Sequence, residues 1–159
     1  MARRIDYHDD PNAPPANSIV PSVNVVVTNG QGEIPLIKRS GNGNWALPGG
    51  AIDPGESLTQ AAVRETSAKE ETGIDCAITG LAGIYTDPKH IILYTSNNEA
   101  RQEFSIVLTA RAVGGQPTPG EESNEVRWAG RAEIMGYQMD QSMRLRINHY
   151  LGAGGYVHI

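Results

Sequence analysis

Gly49-Gly-Ala-Ile-Asp-Pro-Gly-Glu56-Ser-Leu-Thr-Gln-Ala-Ala-Val-Arg64-Glu65-Thr-Ser-Ala-Lys-Glu70-Glu71-Thr-Gly73-Ile74 joins a glycine turn, an acidic loop and a helix-forming run dense in carboxylates. Clustered carboxylates repel one another unless something neutralises them. A hard cation such as Mg²⁺ does so while keeping positions open for water and substrate phosphates. Glu56, Glu65, Glu70 and Glu71 are the candidate acidic ligands. Gly49 and Gly50 permit backbone approaches closed to other residues, so a carbonyl there is a further candidate. The plainer reading of the same acids is a solvated helix face balanced by Arg64 and Lys69.

The run resembles the Nudix box. That pattern is a glycine, five residues, Glu, seven residues, Arg-Glu, then Glu-Glu, one residue, Gly and an aliphatic residue. Gly50, Glu56, Arg64, Glu65, Glu70, Glu71, Gly73 and Ile74 supply those types in that order, and Trp45-Ala46-Leu47-Pro48-Gly49 matches the usual lead-in. The resemblance implies an α/β/α sandwich with a mixed sheet and hydrolysis of a phosphoanhydride bond in a nucleoside diphosphate linked to another moiety. It also implies Mg²⁺ or Mn²⁺ as cofactor. Residue by residue, it assigns metal binding to the Gly49 carbonyl, Glu65, Glu70 and Glu71, and catalysis to Glu65, Glu70 and the orienting Arg64. Glu56 steadies the helix or the substrate. The family often draws another acid from a later loop, for which Glu121-Glu122-Ser123-Asn124-Glu125 offers Glu122 and Glu125. Arg39 and Arg101 are candidate contacts for phosphate or base.

One departure stands out. Four residues, Thr66 to Lys69, separate Arg64-Glu65 from Glu70-Glu71, where the pattern has two. In a regular helix two extra residues add about 200° of rotation and about 3 Å of rise, which carries the glutamate pair off the face of Glu65. A π-type bulge would absorb part of this. A break near Thr66-Ser67, whose hydroxyls compete for backbone hydrogen bonds, is another remedy. Without either, the chain is a nucleotide-binding or regulatory module that hydrolyses poorly.

Outside the box, 159 residues suit one domain with a core of its own. A net charge of −5 argues against broad nucleic-acid binding, which needs a basic face. Cys76 is the single cysteine, so no internal disulfide forms and a reducing compartment, the cytoplasm, is the simplest setting. No apolar run reaches bilayer length. Residues 1–20, with Pro11, Pro14 and Pro15, read as an arm without a core, and residues 21–159 as the domain. A homodimer fits the arm and the family's habit.

Val23–Thr28 reads as a buried strand turning at Asn29-Gly30 into a hairpin partner, Ile34–Arg39. Ser40–Asn44 then reads as a loop. Ser57 and Gln60 form a capping box that starts a helix with Leu58, Ala61 and Ala62 inward, and Gly73 is its expected stop. Residues 77–85, 90–95, 103–112 and 125–129 read as strands, with 114–120 an exposed loop. Residues 139–151 read as an amphipathic helix with Met143 and Ile147 inward.

Overall fold

Val23, Val25, Val26 and Val27 have no solvent exposure. A strand whose alternate side chains are all apolar must be covered on both faces, and this run lies at the centre of a layered domain. The computed structural model describes residues 3–39, 43–68, 72–115, 123–152 and 157–158. In chain order its strands are β1 (Arg4–His8), β2 (Ser18–Ile19), β3 (Ser22–Thr28), β4 (Ile34–Arg39), β5 (Trp45–Ala46), β6 (Gly49–Ala51), β7 (Ile74–Tyr85), β8 (His90–Tyr94), β9 (Glu99–Gln102), β10 (Ser105–Gly115), β11 (Ser123–Ala129) and β12 (Val157–His158). Helix α1 (Leu58–Ser67) lies between β6 and β7, and α2 (Gln141–Gly152) follows a 3-10 turn at Ile134–Gly136.

The main sheet runs β12-β7-β10-β3-β6 and is mixed: β10 is parallel to β3 and antiparallel to β7. Val23, Val25 and Val27 pack with Ala61 and Ala62 of α1 and with Leu108. Val26 faces the other way, into Leu36, Trp45, Val107 and the α2 residues Met143 and Ile147. One strand thus carries two cores, each fully buried valine contributing about 1.5–3 kcal/mol. The α/β/α architecture with a mixed sheet is as the resemblance implied.

Two local expectations change. β3 and β4 are not a hairpin pair. Asn29 turns the chain by accepting from the amides of Gln31 and Glu33, but the strands part into different sheets. The edges of β3 go to β10 and β6, whereas β4 joins β11 and β5 in a three-stranded sheet. The third sheet, β1-β8-β9-β2, takes in residues before 20, where no strand was expected.

The second change is the end of α1. Ser57 accepts from the Gln60 amide and Gln60 returns to the Ser57 amide, so the capping box forms. The helix stops at Ser67, well before Gly73, and Ala68 leaves helical geometry with ψ 140°. Thr66 and Ser67 hydroxyls turn back onto the carbonyls of Ala62 and Val63. The buried Thr72 hydroxyl then donates to the Thr66 carbonyl at 2.6 Å and accepts from the Ile74 amide at 3.0 Å. This side-chain clamp stands where another helical turn would have satisfied the backbone. The helix thus breaks near Thr66-Ser67, the second of the two distortions considered above. Glu70 and Glu71 themselves lie outside the described residues, as do Ser40–Asn42 and Gln116–Glu122.

Thr72→Val should leave the Thr66 carbonyl and the Ile74 amide buried without their partner and cost about 1–3 kcal/mol, whereas Thr72→Ser should cost less than about 1 kcal/mol. Urea unfolding of the two variants checks this through the midpoint at unchanged slope.

Candidate active site

Pairing fixes the glycine corner. Gly49 and Gly50 lie opposite Asn24 and Val23 across the β3–β6 ladder. A Cβ on Gly49 would fall 2.0 Å from the Val23 carbonyl oxygen and 2.6 Å from Asn24 Nδ2. A Cβ on Gly50 would fall 2.5 Å from Glu65 Oε1. The first glycine lets two strands meet. The second makes room for the Glu65 carboxylate, which rests on the backbone of β6.

Arg64 ties the corner together. Its Nε and Nη2 donate to Glu56 Oε2 and Oε1 at 2.6 and 2.8 Å, Nη1 donates to Glu65 Oε1 at 2.8 Å, and Nη2 reaches the Ala51 carbonyl at 3.2 Å. Glu56 in turn accepts from the Asp53 amide. Its carboxyl is held below the usual range by the Arg64 hydrogen bonds and then by that amide. One guanidinium therefore fixes two carboxylates and a strand carbonyl, leaving Glu65 Oε2 without an arginine contact.

A cavity of about 410 Å³ opens beside this corner. Gly49, Gly50 and Glu65 line one side, Arg39 lies on its wall, and Arg4, Tyr94 and Arg101 come from the β1–β8–β9 sheet. Gly49, Glu65, Arg39 and Arg101 of the sequence candidates are thus brought to one space, with Arg64 and Glu56 directly behind Glu65. Glu125 is not among the lining residues. It pairs with Arg127 at 2.9 Å and Lys38 at 3.9 Å on the β11–β4 ladder. Glu122, Glu70 and Glu71 fall outside the described residues.

The floor of the cavity was not anticipated. Buried Arg146 of α2 donates to Asn24 Oδ1 at 2.9 Å and pairs with Glu103, and Ser105 also donates to Asn24. His90 continues the chain of charge. Its Nε2 bonds Asp6 Oδ2 at 2.8 Å. Its Nδ1 sits 3.2 Å from Glu103 Oε1, in ion-pair range but off the line of a hydrogen bond. Burial opposes a charge on His90, yet the Asp6 hydrogen bond and the Glu103 carboxylate outweigh it and raise the pKa to about 9. Asp6 is held low for the reciprocal reason, with Arg4 as its second partner. Burial and the neighbouring imidazolium lower His8, whose ring stacks on His90 at 4.3 Å. Ligand atoms of Asp6, His8 and His90 lie within 4.8 Å of one another. The His8 and His90 ring planes meet at 28°, and the raised His90 pKa with carboxylates at both of its nitrogens favours a protonated histidine held between Asp6 and Glu103. No spacing in the sequence marks it, because its hydrogen-bonded partners lie 43 to 122 residues apart.

The donors on the glycine side, a carboxylate and a backbone carbonyl, are hard oxygens and fit a divalent cation of the Mg²⁺ type. The space that Gly50 leaves for Glu65 is what such a ligand position requires.

Comparison with known proteins agrees with this geometry. Residues 19–149 match the NUDIX domain model. A Bacillus subtilis (strain 168) protein proposed to be an 8-oxo-dGTP diphosphatase is 31% identical over 136 residues, covering 85% of this chain and 82% of its own. An ADP-ribose pyrophosphatase of Methanocaldococcus jannaschii is 34% identical over 99 residues, covering 60% of this chain and 53% of its own. A Nudix hydrolase structure from Nitrosomonas europaea shares the fold with a TM-score of 0.69 at 23% identity, covering 90% of this chain and 80% of that one. The chain belongs to the NUDIX domain family. It is a hydrolase of phosphoanhydride bonds in nucleotide derivatives, a class that works with a divalent metal ion. Among the described residues no helix is long and apolar enough to cross a membrane.

Gly49→Ala drives a methyl into backbone and should cost about 1–3 kcal/mol or more. Gly50→Ala meets only a side-chain end, so it should melt within a few degrees of wild type yet lose most activity as Glu65 is displaced; melting curves beside hydrolysis assays separate the two. His90 has a folded pKa near 9 against an ordinary 6.5, so its contribution is complete below about pH 6.5 and disappears as pH rises through about 9. Wild type should therefore lose more melting temperature than His90→Gln between about pH 7 and pH 10.

Proposed function

We propose that this enzyme hydrolyses a nucleoside diphosphate linked to another moiety, using Mg²⁺ or Mn²⁺ held by the Gly49 carbonyl, Glu65, Glu70 and Glu71. The observation that carries the reading is the Arg64 clamp, which presents Glu65 on the cavity wall with Oε2 free of arginine. When bound, the ion supplies charge neutralisation at the phosphate oxygens and a water of lowered pKa.

The protein's own residues do the rest. Arg64 keeps the Glu65 carboxylate in one orientation through Oε1, so that Oε2 is the atom that accepts a proton from the attacking water. Glu56 holds the other edge of Arg64 and so sets its position, a supporting role of the kind that outer residues play around metal ligands. Arg39 and Arg101 on the cavity wall position the substrate for in-line attack, where most of the acceleration in phosphoryl transfer arises. We place the enzyme in the cytoplasm, as residues 21–159 forming the domain and residues 1–20 an arm, with a homodimer as its assembly. Its acidic balance makes small nucleotides and not nucleic acids its substrates.

A second reading has one observation in its favour. Helix α1 stops at Ser67, two residues past Glu65. A chain that failed to bring Glu70 and Glu71 back would be a nucleotide-binding module of low turnover.

A nucleotide panel assayed for phosphate release, with phosphatase added to convert monoester products, tests both. Turnover that needs Mg²⁺ or Mn²⁺ and stops with EDTA is expected; saturable nucleotide binding without turnover under any divalent ion would establish the module instead. Glu65→Gln should lower kcat by about 10²–10⁴-fold, the usual worth of a positioned base. Arg64→Lys, which keeps charge but not the two-edged grip, should cost about 10–100-fold. Glu71→Gln separates the readings most directly: a large loss supports the enzyme, and unchanged turnover removes Glu71 from the site.

A further inference from the structure

The family match begins at residue 19, yet a residue before it lines the cavity. β1 pairs antiparallel with β8, placing Arg4 opposite Tyr94 and Asp6 opposite Ile92. β8 pairs with β9, placing Tyr94 opposite Glu99 and Ile92 opposite Arg101. Directly paired residues share a face, so one face of this small sheet carries Arg4, Asp6, Ile92, Tyr94, Glu99 and Arg101. Arg4, Ile92, Tyr94 and Arg101 of that set line the same cavity as Glu65.

The two arginines are mounted alike. Asp6, two residues along β1, takes the side edge of Arg4, from Nε to Oδ1 at 2.8 Å and from Nη2 to Oδ2 at 3.1 Å. Glu99, two residues back along β9, takes the side edge of Arg101 at 2.9 and 3.0 Å. Arg101 also lies 4.7 Å over the Tyr94 ring. A guanidinium has five N–H groups, and one carboxylate on the side edge leaves the end-on pair, Nη1 and Nη2, as a second fork. Neither end-on fork meets an acceptor among the described residues. Each side chain keeps partial exposure, 27% for Arg4 and 20% for Arg101.

Bound carboxylates fix the planes of both cations and remove most of the rotamer entropy that a flexible arginine would lose on binding. Fixed end-on forks match the paired oxygens of a phosphate. Both stand beside Tyr94, Arg4 as its direct partner across the β1–β8 ladder and Arg101 over its ring, so an anion entering there meets two preset donors. Asp6 itself is anchored by the buried His90, so the placement of Arg4 depends on the interior of the domain and not on the strand alone.

We propose that β1, lying ahead of the family domain, completes the substrate site: Arg4 and Arg101 flank Tyr94 to form a subsite for a phosphate that the substrate carries outside the reacting linkage. The inference rests on the cavity beside Glu65 being the substrate site. Its ligand class is a nucleotide with an additional phosphomonoester or a longer phosphate chain.

Two substrate pairs test it, ADP-ribose with its 2′-phosphate and ADP with ATP, each compared by kcat/KM with metal and by calorimetric affinity in EDTA. Wild type should favour the more highly phosphorylated member of at least one pair by tenfold or more. Arg4→Gln and Arg101→Gln should each bring that preference to within about threefold of unity, with the larger loss falling on the phosphorylated member and expressed in KM. Arg101→Gln stands as the second variant because Arg4→Gln disturbs buried Asp6. Equal loss on both members of a pair, or no preference in either pair for wild type, overturns the proposal. Calorimetry distinguishes the two failures: absent turnover with the affinity preference intact sinks the hydrolytic reading and leaves the subsite standing.

Discussion

Arg64 is the hinge on which the site depends. A single guanidinium reaches the acidic loop through Glu56, its own helix through Glu65 and strand β6 through the Ala51 carbonyl. These three pieces come from separate elements, and each would be free to drift without it. The carboxylates need the cation because they crowd one another, and the cation needs them because its donors fill their geometry. The two glycines in β6 serve the same end. One lets the strand seat against β3 and the other clears the volume that Glu65 occupies.

What could be read in the sequence was local or patterned. Ser57 and Gln60 announced the helix start because both partners of a capping box lie within one turn. The valine run announced a buried strand, and the box residues announced the chemistry by their order. The stop of α1 was harder. Gly73 has φ +72° and suits a helix terminus, but the hydroxyls of Thr66, Ser67 and Thr72 satisfy the backbone earlier and the helix yields to them. The false hairpin at Asn29-Gly30 has a related cause: the turn is real, yet a strand covered on both faces recruits distant partners and has no edge left for its neighbour.

The buried charges were illegible for a different reason. Asn24, His90, Glu103 and Arg146 are ordinary surface types by composition, and nothing in their spacing sets them together. Topology does so, by laying α2 over the end of β3 and closing β8 and β9 across the cavity. Once buried, each has to find a partner or lose its charge. The result is an alternation of sign from Arg4 through Asp6, His90 and Glu103 to Arg146 that links the outer sheet to the core.

That division of labour has an evolutionary consequence. The glycine corner leaves almost no room for change, whereas the opposite wall belongs to a separate small sheet whose outermost strand, β1, is tied to the core through Asp6 and His90. Mutations on the cavity side of that strand that keep the Asp6 anchor can retune which nucleotides are admitted without disturbing the machinery that cuts them, so lineages sharing one hydrolytic engine are free to diverge in diet.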